Sequence, residues 1–319
     1  MQYQLLTHLS DELKHPLRLA DLVVSDVDPT LGPDKVVWSE DPRYEDKLLP
    51  NLGLRGDRLH RASGHLTDSK GSPSLREYTG RIMTVDPSGR GEDETGVSVQ
   101  YFLNGQVFVA KIRGFLGGYD DETMTKIAAL AKSCLVREII TEDNFADGMF
   151  SKILSGSLLA AGYPCRITGV KFHTQKEQRI LRTLEPVMHQ HRLIVCASAV
   201  RDDYESVQRY HSDVRQSYTF QHQMTRLTRD RGCLLHDDRL DAVAIGVAHW
   251  EQYMAQDVEK DFDQFIGRFD QYLQQQMNPS NPPPDQAVPN VWIEEDERGR
   301  LVCTDGETEW RYDQKQGCE

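Results

Sequence analysis

Three consecutive stretches of strand character constrain this chain more than any other feature: residues 80–86, GVSVQYFL at 96–103 and QVFVAKIRGF at 106–115. Asn104-Gly105 separates the last two and is the strongest short hairpin signal in the chain, because both residues tolerate positive φ. The first stretch ends on Asp86. The DPSG that follows (86–89) fits a type I turn, with Asp at the first position, Pro at the second and Gly at the fourth. Three antiparallel strands in succession are therefore expected, with a carboxylate at the end of the first.

Beyond residue 115 the pattern alternates. Asp120 or Asp121 caps a helix whose apolar positions Met124, Ile127, Ala128, Leu130 and Ala131 share one face. LVREIITE (135–142) reads as a β-branched strand, 147–161 as a helix closed by Gly162, and 163–172 as a further strand. Thr174 and Glu177 form a capping box for the next helix, RLIVC (192–196) is a short strand, and 217–229 and 237–256 are helical. Strands followed by alternating helices and strands predict an α/β fold, a mixed sheet covered by helices.

Two flanking regions differ in character. Residues 1–78 carry repeated breakers (DPTLGPD, SEDPR, LLPNLGLRGD, KGSPS) and are expected as an extended lead-in, leaving 79–255 as the folded domain. Residues 256–319 read as a polar amphipathic helix, a proline break (NPSNPPPDQ) and an acidic tail.

Several classes are excluded. No GxxxxGK[ST] is present, so the chain has no P-loop, and GRGED (89–93) fails the dinucleotide fingerprint because Glu94 stands where it needs glycine. The six cysteines form no CxxC pair, which argues against a zinc ribbon or a disulfide framework. No apolar run approaches the roughly 18 to 20 residues that span a membrane. The first residues lack the basic and apolar regions of a signal peptide, so a cytoplasmic location is expected.

The chemistry is carried by carboxylates at element ends. Ligands of α/β sheets collect beyond strand termini, where Asp86 and Glu142 both fall; Asp143 is the rival of Glu142. In HDDRLDAVAIGVAHW (236–250), Asp237 or Asp238 serves as N-cap. Asp238 and Asp241 share a helix face with Ala242 and Ile245, and Ala242, Ala244, Gly246 and Ala248 allow close approach to the sheet. Converging carboxylates repel one another, and hard divalent cations relieve that repulsion; an oxygen-only set suits Mg2+ or Mn2+. Two such ions about 3.5 to 4 Å apart can clamp the attacking and leaving oxygens of a phosphodiester.

The runs IMTVDPSGRGEDETG, ITEDNFADGMF, TLEPVMHQHRLIV and RGCLLHDDRLDAVAIGVAH resemble, in this order over roughly residues 80–255, the nuclease domain of the large terminase subunit of short-tailed bacteriophages. HPLRLADLVVSD is similar to that family's linker from its ATPase domain. The resemblance implies a ribonuclease H-like fold, shared with junction resolvases and integrases, and an endonuclease that cuts concatemeric double-stranded DNA with little sequence preference. It places the metal-binding acids at Asp86, Glu142 and Asp238, with Asp241 as the fourth acid of resolvase-type relatives, and leaves Asp237 and Asp238 as alternatives. On that reading Asp86 bridges two ions. The implied setting is the cytoplasm of an infected bacterium, with a packaging ATPase, the portal and the small terminase subunit as partners. Members of the family carry a packaging ATPase that these 319 residues lack, so DNA translocation is expected to reside elsewhere. A Holliday-junction resolvase or integrase of the same fold is the alternative enzyme, and a non-catalytic DNA-binding or motor-docking module the alternative of another class.

The formal net charge of -13 opposes indiscriminate polyanion binding, yet it is unevenly placed. Between 166 and 232, twelve cations face seven anions, a balance suited to phosphate contact. Lys176, Arg179 and Arg226 are the expected DNA contacts because they flank elements leading to the acid cluster. His173 and His236 are candidates for proton transfer. From 279 on, ten acids face four cations, a tail that suits a protein partner rather than DNA.

Overall fold

The structure, a computed structural model, describes residues 14–67, 71–88, 93–143, 148–254, 292–295, 301–304, 309–313 and 317–318. Its strands are β1 (Val23–Ser25), β2 (Leu31–Pro33), β3 (Val36–Val37), β4 (His60–Arg61), β5 (Gly64–His65), β6 (Leu75–Glu77), β7 (Gly80–Asp86), β8 (Thr95–Leu103), β9 (Gln106–Phe115), β10 (Glu138–Glu142), β11 (Arg166–Val170) and β12 (Leu193–Cys196). Eight of them form one sheet in the order β11-β10-β7-β8-β9-β12-β1-β4. The β7-β8 and β8-β9 pairs are antiparallel and all other pairs in the sheet are parallel, so the expected mixed sheet is present. Asn104 and Gly105 take φ of 48° and 70°, as the tight β8-β9 turn requires.

Both faces of this sheet are covered. Met83, Val85, Val97, Val99 and Tyr101 point to one side, where they pack with Met124, Ile127, Phe150 and Leu154 of the helices Asp121–Ser133 and Met149–Ala160. Ile82, Phe102, Val107, Val109 and Ile140 point to the other, against Ile180, Leu184, Leu240, Val243 and Val247. These come from the helix Lys176–His189 and a helix through residues 238–254. The period-2 alternation of β7 and β8 thus feeds two cores.

Polar groups in the second layer fix that last helix. Thr84 Oγ1 donates to the Ala242 carbonyl at 2.5 Å, and Gln100 Nε2 donates to the Val243 carbonyl at 2.8 Å. Both bonds are buried, where an unpaired partner costs about 1–3 kcal/mol. They set the helix in register over β7 and β8. The approach is close because Gly246 faces Gln100: a Cβ there would lie 2.4 Å from the amide. The small-residue stripe does what its spacing implies.

Three expectations are corrected. The lead-in is not separate from the domain: β1 and β4 extend the sheet beyond β12, and the compact unit runs Met1–Glu259. Asp57 anchors this region by accepting from the Leu19 and Ala20 amides at 2.7 and 2.9 Å. Thr174 does not cap its helix. Gln175 stands at the N-cap without a side-chain bond, and Glu177 accepts instead from the Gly232 amide at 2.6 Å. The segment 217–229 is no single helix but a 3-10 turn (Arg215–Tyr218) followed by Phe220–Arg226.

The second unit, Lys260–Glu319, holds a four-stranded antiparallel sheet of β13 (Trp292–Glu295), β14 (Leu301–Thr304), β15 (Glu309–Asp313) and β16 (Gly317–Cys318). The acidic stretch is therefore a meander in part. The expected amphipathic helix and proline break lie outside the described residues, as does the end of the 86–89 turn.

Candidate metal centre and active site

Asp86 is the last residue of β7 and Glu142 the last of β10. The two strands run parallel with Thr141 paired to Val85, so the next residue on each, Glu142 and Asp86, projects from the same sheet end. On β8, Gly96 pairs with Asp86. A Cβ at Gly96 would meet the Asp238 carbonyl oxygen at 2.1 Å, so only glycine lets the helix terminus rest there. The Asp241 amide donates to the Asp237 carbonyl at 2.8 Å, which starts the helix one residue after Asp237.

The result is a cage of five carboxylates. Asp86, Glu142 and Asp241 bring ligand oxygens within 4.8 Å of one another, and so do Asp86, Asp237 and Asp238. Asp86 belongs to both groups. Asp241 is fully buried, and Asp86 nearly so.

Two cations sit inside this cage. Lys176 Nζ lies 3.0 Å from Asp86, 2.9 Å from Asp237 and 3.0 Å from Asp241. Arg179 Nη2 lies 2.8 Å from Asp241 and 3.8 Å from Glu142, and its guanidinium stands over the Phe172 ring at 3.8 Å. Both side chains were expected at DNA; here they are engaged by carboxylates at the floor of the cleft. Arg226 is elsewhere, donating to Thr225 Oγ1 at 2.7 Å and to the Leu52 carbonyl.

The electrostatics follow from burial and crowding. Burial raises the Asp86 carboxyl well above the ordinary range, Asp241, Asp238 and Glu142 add to the rise, and Lys176 opposes it. Asp238 is pushed up to about 7 by burial, with Asp237 next among the groups that raise it. Glu142 is raised by burial and by Asp241 against Arg179 and Lys176. Burial acts against the Lys176 ammonium, yet Asp241, Asp86 and Asp237 outweigh it and hold the proton firmly. Five acids against two cations leave an excess of negative charge. An all-oxygen set of this kind fits one or two hard divalent ions.

A cleft of about 650 Å³ opens over the cage, lined by Asp86, Glu142, Lys176 and Arg179 together with Pro87, Tyr119, Phe172, His173, Thr174, Gln175, Glu177 and Arg231. Asp143 is not in the cage. Its Oδ2 fills the space over Gly169, where a Cβ would meet it at 1.9 Å, and its other oxygen accepts from Thr141 Oγ1. His236 is half-buried and stacks on Tyr218, with Asp93 3.5 Å away. His173 lines the cleft wall.

Sequence reasoning missed Glu94 and Arg239. They form a buried bidentate pair, with Arg239 Nε and Nη2 donating at 2.8 and 2.9 Å. The signal was an arginine one residue after Asp238 in an otherwise apolar helix, which has to find an acid if buried.

Residues 85–193 match the family model described as the ribonuclease H-like domain of the bacteriophage T7 terminase. Over 260 residues the chain is 37% identical to the large terminase subunit of Enterobacteria phage T3, covering 82% of this chain and 43% of that protein. It thus spans less than half the length of that relative. Among solved structures, the nuclease domain of the gp2 large terminase subunit of bacterial virus Sf6 is 12% identical, with 54% of this chain and 89% of that one covered and a TM-score of 0.37. The human cytomegalovirus terminase nuclease domain is 14% identical, with 56% and 88% covered and a TM-score of 0.38.

Proposed function

We propose that this chain is the metal-dependent endonuclease of a viral DNA-packaging machine, cutting concatemeric double-stranded DNA with little sequence preference in the host cytoplasm; the match of residues 85–193 to the terminase ribonuclease H-like family model and the 37% identity to the phage T3 large terminase subunit support the reading. The observation that carries the reading is the pair of three-carboxylate groups sharing Asp86.

In this reading Asp86, Glu142 and Asp241 would hold one divalent ion, and Asp86, Asp237 and Asp238 would hold the other. Mg2+ or Mn2+ bound there would supply Lewis acidity toward the phosphoryl oxygens and lower the pKa of water toward neutrality. The chain does the rest. Asp86 sets the spacing of the two sites because it is fixed at a strand end. Lys176 and Arg179 offset part of the negative charge of the cage and stand ready to donate to phosphate oxygens at the cleft floor. Thr174, Gln175 and Arg231 at the rim offer donors to flanking phosphates, contacts that position the duplex without reading bases. The portal, small subunit and packaging ATPase are the proposed partners.

The test is cleavage of supercoiled plasmid by the purified chain in Mg2+ or Mn2+, with chelator as control. Metal-dependent nicking and linearisation are expected, and their disappearance in Asp86→Asn. Full activity in a folded Asp86→Asn protein would sink the assignment.

A further inference from the structure

A second ionic cluster lies beside the cage, and Glu94 is its hub. Glu94 and Arg239 are both fully buried. Besides the bidentate pair, Arg239 Nη1 donates to Asp203 Oδ1 at 2.7 Å and to Ser206 Oγ at 2.9 Å. Arg209 Nη2 and the Tyr210 hydroxyl also donate to Glu94 Oε1, at 2.7 and 2.6 Å. The surroundings are shaped to this carboxylate, since a Cβ at Gly114 of β9 would lie 1.8 Å from Glu94 Oε2.

The cluster reaches both flanks of the Asp237-Asp238 pair. Arg239 follows Asp238 directly in the chain. On the other flank, the Tyr210 ring stacks on Tyr218 with centroids 4.0 Å apart, and Tyr218 stacks on His236 at 3.8 Å. His236 immediately precedes Asp237. Glu94 itself stands two residues before Gly96, the strand partner of Asp86. One carboxylate thereby ties the strand that supports Asp86 to both ends of the segment that presents Asp237 and Asp238. Buried ionic groups are weak sources of net stability, and specifying one arrangement is their better-attested use.

We infer that Glu94 is a positioning residue that holds Asp237 and Asp238 in metal-binding geometry through Arg239 and through the Tyr210-Tyr218-His236 stack. The inference rests on the reading of the carboxylate cage as a metal site. It makes Glu94 part of the nuclease although Glu94 stands outside the carboxylate cage.

The experiment is Mn2+ titration calorimetry, without DNA, on the full chain and on Glu94→Gln, Tyr210→Phe and Asp57→Asn, each checked for fold by circular dichroism. Glu94→Gln is expected to weaken Mn2+ binding by about tenfold or more, the scale of outer-shell partners of metal ligands. Tyr210→Phe, which removes the hydroxyl bond to Glu94 and the one the hydroxyl accepts from Arg209 Nη2 at 3.0 Å, is expected to weaken it severalfold. Asp57→Asn, a buried carboxylate of the lead-in, should lower the melting temperature and leave Mn2+ affinity unchanged. Plasmid cleavage by Glu94→Gln should recover at higher Mn2+. Folded Glu94 and Tyr210 variants that bind Mn2+ like the unaltered chain would overturn the inference, as would an equal loss in Asp57→Asn. If Glu94→Gln does not fold, Tyr210→Phe decides. Failure of the unaltered chain to bind Mn2+ would instead overturn the metal-site reading itself.

Discussion

Asp86 and Gly96 face each other across β7 and β8, and the space above Gly96 is taken by the Asp238 carbonyl, 2.1 Å from where a Cβ would stand. The strand acid and the helix acids are thus brought together by the absence of one side chain. Gly96→Ala has to push the helix terminus off the sheet. It is expected to cost about 1–3 kcal/mol, the scale of overpacking, and to weaken Mn2+ binding in the protein that still folds. Urea denaturation and calorimetry measure the two effects.

Glu142 and Asp143 are adjacent in the chain and differ in role. Glu142 stands in the cage, whereas Asp143 packs over Gly169. Glu142→Gln should lower plasmid cleavage by more than the roughly 10- to 100-fold typical of outer-shell changes, while Asp143→Asn should retain most of it. Initial rates of supercoil loss in Mn2+ separate the two variants.

Lys176 Nζ lies within 3.0 Å of three carboxylates at once. Lys176→Met leaves Asp86 and Asp241 buried and less compensated. Breaking a buried pair costs about 3–5 kcal/mol, and the figure is reduced here because a third of the Lys176 side chain is exposed. The variant should melt earlier in chelator, and millimolar Mn2+ should return most of the difference, since the ion takes over the cation's work. Thermal melts with and without Mn2+ give both numbers.

The pH dependence has a definite sign. Asp86 and Asp238 titrate above their unfolded value of 3.8, Asp238 at about 7. Between those limits the folded metal-free protein holds more protons than the unfolded chain, so its stability falls as pH rises through about 7. Divalent metal removes the cause by binding the ionised carboxylates. In chelator the melting temperature should therefore decline from pH 5 to pH 8, and the increment given by Mg2+ should be larger at pH 8 than at pH 6. Differential scanning calorimetry across that range tests it.

Much of this was legible in the chain. The alternation of β7 and β8, the Asn104-Gly105 turn and the β-branched run before Glu142 are local signals, and each element formed where its pattern lay. The carboxylate order was legible because ligand sites of α/β sheets gather beyond strand ends, and β7 and β10 are neighbours here. What escaped depends on long-range packing. β1 and β4 are three and two residues long and gain their place by pairing, β1 with β12 and β4 with β1, which no local periodicity announces. Lys176 and Arg179 read as DNA contacts, and only the fold turns them onto the acids. Glu94 pairs with Arg239 across 145 residues, so its role could not be seen from its neighbours.

The central claim is that Asp86 is shared by two divalent-ion sites. Crystals soaked in Mn2+ and measured at the manganese edge test it most directly. Two anomalous peaks are expected beside the Asp86 carboxylate, one toward Glu142 and Asp241 and the other toward Asp237 and Asp238. Peaks away from Asp86, or none at millimolar Mn2+, would contradict it.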